Sequence, residues 1–95
     1  MHTVVRSYSG KGAKELFDVL EKNKADLEKI VRSIKGLVNY ALVRGADGGF
    51  SVTVCKDKAG ADESVQIARD WISKNAAPGA AAPKVAEGSV IIHVS

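Results

Sequence analysis

With 95 residues, 45% of them hydrophobic and 26% charged, and a formal net charge of +3, the chain has the make-up of one globular domain over residues 1–95, not of a disordered or fibrous protein. The positive excess is slight and cations alternate with acids, as in Lys14-Glu15, Glu21-Lys22 and Glu28-Lys29, so the concentrated basic face that nucleic acid requires is absent. A lone cysteine, Cys55, excludes an intrachain disulfide, no apolar run approaches the roughly 20 residues of a membrane span, and Met1 to Arg6 lacks a basic-then-apolar leader; a reducing cytoplasm is the expected location.

Thr3 to Tyr8 is a β-branched and aromatic run stopped by Ser9-Gly10-Lys11-Gly12, which predicts a first strand. Ala13, Leu16, Phe17, Leu20, Leu27, Ile30, Val31 and Ile34 fall at helical spacing and predict a helix over 13–34, ended by Gly36. Glu21-Lys22-Asn23-Lys24 interrupts that stripe for about one turn, leaving a break open there. Leu37 to Arg44 and Phe50 to Lys56 flank an Asp47-Gly48 hairpin signal and predict the second and third strands. A second helix is expected from Ala61 to Asn75, with Val65, Ala68, Trp71 and Ile72 on its apolar face, then a surface connection over 76–88 and a last strand from Ser89 to Val94.

The order strand, helix, strand, strand, helix, strand is that of a ferredoxin-like α+β domain, a βαββαβ chain with a four-stranded antiparallel sheet and both helices on one face. Leu37 to Val43 and Val90 to Val94 do not alternate between apolar and polar, so the sheet face away from the helices needs a cover. A second copy of the chain is the expected cover, giving a homodimer through the sheet face. On the third strand Phe50, Val52 and Val54 share one face and Ser51, Thr53 and Cys55 the other, and the Ser-Thr-Cys face is expected to be the mild outer one.

Gly36-Leu37-Val38-Asn39-Tyr40-Ala41-Leu42-Val43-Arg44, the hairpin after it, Ser51-Val52-Thr53-Val54, and the run from Glu63-Ser64 through Ala68 to Asp70-Trp71 together resemble small members of the antibiotic biosynthesis monooxygenase-like superfamily. The resemblance covers nearly the whole chain and is strongest to members without a characterised activity. It implies a dimeric α+β barrel made by stacking two sheets. Some members oxidise polyketide phenols with molecular oxygen and need no metal or flavin, while others degrade haem. It therefore implies a small aromatic or phenolic ligand and no cofactor, with a non-catalytic stress-response or assembly module as the alternative.

A cofactor-free oxygenase needs an apolar cavity for an electron-rich substrate and polar groups that favour the substrate anion. Trp71, Tyr40, Tyr8 and Asn39 are candidates for such a pocket; ordinary packing at helix and strand spacing is the reading each must beat. His93 is added because antiparallel first and last strands would bring it near His2 and Cys55. Two imidazoles and a thiolate can bind zinc, but their spacing matches no zinc pattern and no metal is assigned. The haem-degrading relatives use an Asn, a Trp and a His, to which Asn39, Trp71 and His93 do not align residue by residue, so no catalytic role is transferred. Gly10-Lys11-Gly12 is too short for a phosphate loop, and Gly49-Phe50 retains only a fragment of the RNA-recognition signature.

Overall fold

A computed structural model describes residues 1–75 and 82–94. Its elements are β1 (His2–Ser9), α1 (Ala13–Lys22), α2 (Lys24–Arg32), β2 (Leu37–Gly45), β3 (Gly48–Cys55), α3 (Lys58–Asn75) and β4 (Lys84–Ser89). The strands form one four-stranded antiparallel sheet in the order β2-β3-β1-β4, so the ferredoxin-like α+β arrangement stands. The first helical stretch is divided at Asn23, whose side-chain amide donates to the Val19 carbonyl at 2.8 Å while its backbone N–H reaches the carbonyls of Val19 and Leu20. An amide that turns back onto the preceding turn closes one helix and frees the chain to start the next at a new angle. α3 begins three residues earlier than the predicted start at Ala61, because the Asp57 carboxylate accepts the Gly60 N–H at 3.0 Å and caps the first turn.

The last strand lies earlier than the apolar pattern predicts. β4 is Lys84–Ser89, which pairs with β1 from Ser7↔Lys84 to His2↔Ser89, and Val90 adds one bond from its N–H to the Met1 carbonyl. Ile91 to Val94 then run past the paired length of β1 and are not strand. A strand needs a neighbour to hold its backbone bonds, and β1 supplies one for 84–89 only. Ile91, Ile92 and Val94 are 94%, 80% and 86% exposed. Of the predicted surface connection over 76–88, residues 76–81 lie outside the described stretches and the remainder is mostly β4.

The faces of β3 are the reverse of the expectation. Cross-strand partners Cys55↔His2, Thr53↔Val4 and Ser51↔Arg6 put the Ser-Thr-Cys side on the helix side of the sheet, where Ser51, Thr53 and Cys55 are buried. Close packing explains the choice: a Cβ on Gly49 would stand 2.5 Å from Phe17 Cε2 of α1, and one on Gly60 of α3 would stand 3.2 Å from Cys55 Cβ. Helices can lie that close only over small side chains. Phe50, Val52 and Val54 consequently face away from the helices. By register Ala41, Val52, Val5 and Ala86 cross that outer face in one row, with Val43 and Phe50 beside it at 38% and 39% exposure. The uncovered face thus carries an apolar patch through β1, β2 and β3 instead of the residues after Ser89, flanked by Thr3, Ser7, Asn39 and Lys84, while Val54 is already buried.

On the helix side the core is two clusters. Tyr8, Ala13, Leu16, Phe17 and Leu20 make one, with Leu27, Leu42, Trp71 and Ile72 packed against it. Val4, Ile34, Cys55 and Ala61 make the other. Tyr8 and Phe17 meet edge to face with ring centroids 6.0 Å apart. Arg44 of β2 is tied to α1 through Asp18 at 2.6 Å and Glu21 at 3.3 Å, which fixes the outer strand under that helix.

Candidate ligand cavity

A row of cavities lies between the sheet and the helices. At the β2 end a groove of about 470 Å³ is lined by residues of α2 and β2, among them Leu27, Val31, Leu37, Asn39, Tyr40 and Leu42. Leu27, Tyr40 and Leu42 also wall a neck of about 30 Å³ with Arg6, Tyr8, Ser51, Ala68, Trp71 and Ile72. Arg6, Tyr8 and Ile72 in turn belong to a third space of about 290 Å³ toward β4, with Leu16, Val65, Arg69, Pro83 and Val85. The outer lobes sit near the lower end of the roughly 300–1,000 Å³ of small-molecule sites, and the neck holds about one water.

The polar content of this layer is lopsided. Arg6 alternates with Val4 and Tyr8 on the helix-facing side of β1 and is 5% exposed, between the two apolar clusters. Its cross-strand partner Ser51 and the next residue on that face of β3, Thr53, are 1% and 0% exposed. Arg6 Nε, Ser51 Oγ and Thr53 Oγ1 are buried without a hydrogen-bond partner among the described residues. Such groups cost about 1–3 kcal/mol each, and more when charged. No Asp or Glu lines the neck or the β4-side space, and no salt bridge reaches Arg6 among the described residues.

Burial pushes the Tyr8 and Tyr40 phenols above their usual range; the nearby Arg6 charge offsets part of that rise at both, and hydrogen bonding from Arg6 offsets more of it at Tyr8. Both phenols stay protonated at neutral pH and can donate. The neck therefore presents a guanidinium, two phenols and a hydroxyl, with no carboxylate or imidazole to serve as an ordinary general base.

Of the residues singled out from sequence, Trp71, Tyr40 and Tyr8 meet at the neck. Trp71 also packs against the first core cluster, so packing and cavity wall are the same side chain seen from two sides. Asn39 is exposed and lies at the β2 groove, away from the neck. His93 is exposed beyond β4 and lines none of these spaces. The His2 ring lies 2.9 Å from Glu87 Oε1, and Cys55 is wholly buried with its thiol pushed up by burial. Among the described residues no group of three His, Cys, Asp or Glu side chains gathers to hold a metal. Gly10 of the short glycine loop donates its N–H to the Asp47 carboxylate at 3.3 Å, which sets an acid where a phosphate would have to sit. Arg6 and Ser51 were missed. The available signal was a cation standing in the buried phase of β1, between Val4 and Tyr8.

No family model matches the sequence, and no curated protein does. Solved structures match over nearly its whole length. NE2512, a protein of unknown function from Nitrosomonas europaea, superposes with a TM-score of 0.66 at 14% identity, covering 99% of this chain and 91% of that one. A point mutant of MhuD, with two manganese protoporphyrin IX molecules bound per active site, gives 0.64 at 21% identity, covering 99% and 97%. A monooxygenase from the gene ActVA-Orf6 of Streptomyces coelicolor, in complex with nanaomycin D, gives 0.56 at 17% identity, covering 99% and 89%. The likeness to antibiotic biosynthesis monooxygenase-like proteins read from the sequence therefore holds at the level of the fold. At these identities the likeness speaks to fold, and activity has to be argued from the cavity. No helix among the described residues is long and apolar enough to cross a membrane.

Proposed function

We propose that the chain is a small-molecule-binding, cofactor-independent monooxygenase-like protein that takes an aromatic or phenolic substrate into the space between helices and sheet, and that it works as a homodimer joined through its sheet face. The observation that carries the reading is the row of neighbouring cavities that share Tyr8 and Tyr40 as walls, with Trp71 at the middle one. Aromatic walls hold a flat ring, and the phenols and Arg6 are placed to stabilise an anion as it forms. The substrate anion, and not a cofactor, would supply electrons to oxygen. Structures of this fold that hold nanaomycin D or manganese protoporphyrin IX support a ligand-binding use of the architecture. Haem suits these walls poorly: no His, Cys or Met lines them among the described residues, and a neck of about 30 Å³ separates the lobes.

The dimer follows from the apolar outer face, where Val43 and Phe50 remain more than a third exposed beside the Ala41-Val52-Val5-Ala86 row. A second copy offers the same apolar row and can cover it by two-fold stacking. The buried, unpaired Cys55 thiol suits a reducing cytoplasm.

Oxygen consumption with 1,8-dihydroxyanthrone tests the catalytic reading. Uptake above the buffer rate that falls in Tyr40→Phe and Trp71→Ala variants supports it. The small neck favours a second reading, a non-catalytic stress-response or assembly module closed by ordinary packing. Oxygen uptake equal to buffer, with no binding of the anthrone, would select that one.

A further inference from the structure

The strip formed by Arg6, Ser51 and Thr53 serves neither cluster of the core. Arg6 and Ser51 line the neck, Arg6 also lines the space toward β4, and Thr53 lies next to Ser51 on the same face of β3. Three of its polar atoms lack partners among the described residues, and one of them belongs to a permanent cation. No carboxylate pairs with it among the described residues, and residues 76–81 contain no acid. A buried guanidinium without a carboxylate is a poor structural element, since an apolar side chain of similar length would pack there without the desolvation cost. It is well suited to an arriving oxyanion, which it can meet with charge-assisted hydrogen bonds.

We propose that Arg6, flanked by Ser51, is the anion anchor of this cavity, so that the ligand is recognised as a preformed carboxylate or phenolate whose charged oxygen sits at the neck and whose ring extends into an adjoining lobe. This rests on the small-molecule reading above and adds the ligand's charge to it. Tyr8 and Tyr40 line the same neck and offer further donors to the same oxygen. Arg69 lies on the wall of the β4-side space and adds positive potential there. Arg6 is assigned to binding, and no covalent step is assigned to it.

Isothermal titration with 1-naphthoate and its neutral near-isostere 1-naphthamide tests the anchor. The wild-type protein is expected to bind the acid at least about tenfold more tightly than the amide. Arg6→Met should bind the two alike and melt at a higher temperature than wild type, because a cation without a counter-ion is removed. Arg6→Lys should keep a reduced preference for the acid, having the charge without the planar fork. Equal binding of acid and amide by the wild type overturns the anchor and leaves the cavity reading standing. Binding of neither overturns both. An Arg6→Met protein that melts lower and still prefers the acid shows the guanidinium to be structural and overturns the proposal.

Discussion

Charging the outer sheet face should split the dimer while leaving the fold intact. Val43 and Phe50 are 38% and 39% exposed in the single chain, so replacing both with Lys disturbs little that is already packed. Fully burying a Val or Phe side chain is worth about 1.5–3 kcal/mol, and roughly two-fifths of that remains to be gained at each position on association. Over both copies Val43 and Phe50 together contribute about 2–5 kcal/mol, and Val43→Lys/Phe50→Lys forfeits this and opposes four like charges. Each 1.4 kcal/mol is tenfold in affinity, so the dissociation constant should rise by roughly 30- to 3,000-fold. Sedimentation velocity at micromolar protein should show a dimer for wild type and a monomer for the variant, with the same far-UV circular dichroism spectrum and a melting temperature lowered by the loss of association. A wild-type monomer, or a variant that still sediments as a dimer, would refute the reasoning.

Other expectations concern the layer under the helices. Phe17→Ala removes a side chain that is 2% exposed and stacked edge-on with Tyr8, and should cost about 3–5 kcal/mol in chemical denaturation; a loss below about 1 kcal/mol would mean that α1 is not anchored as described. Tyr8 and Tyr40 have folded-state pKa values raised above 10.0, so the stability they confer is whole below about pH 10, where the unfolded phenols begin to ionise, and is lost as pH climbs through the raised values. Phenolate absorbance of the folded protein should therefore have its midpoint above about pH 10, and the alkaline loss of melting temperature should shrink in Tyr40→Phe. A midpoint at the free-tyrosine value would contradict the burial of these rings.

The element order was legible because hydrophobic spacing and turn residues act locally: the stripe from Ala13, the Asp47-Gly48 turn and the Trp71 helix all appear where their patterns put them. The fourth strand was not, since what makes 84–89 a strand is the length of β1 beside it, and a greasy run such as 91–94 stays out of the sheet when no neighbour is there to pair. The facing of β3 was misread for a related reason. Alternation tells which residues share a face but not which face lies under the helices, and Gly49 beneath Phe17 decides that only in three dimensions. At the cavity, aromatic residues advertised themselves through type alone. Arg6 was not singled out, since a lone cation within a strand run does not show which face it takes; its register against Ser51 turns it inward.

The central claim is that the layer between helices and sheet is an open ligand site, and Trp71, the only tryptophan, reports on it directly. Titration with 1,8-dihydroxyanthrone should quench its fluorescence saturably at one site per chain, and Ala68→Leu, which fills the neck, should abolish the saturable phase. Quenching that never saturates, or that survives unchanged in Ala68→Leu, would contradict the account.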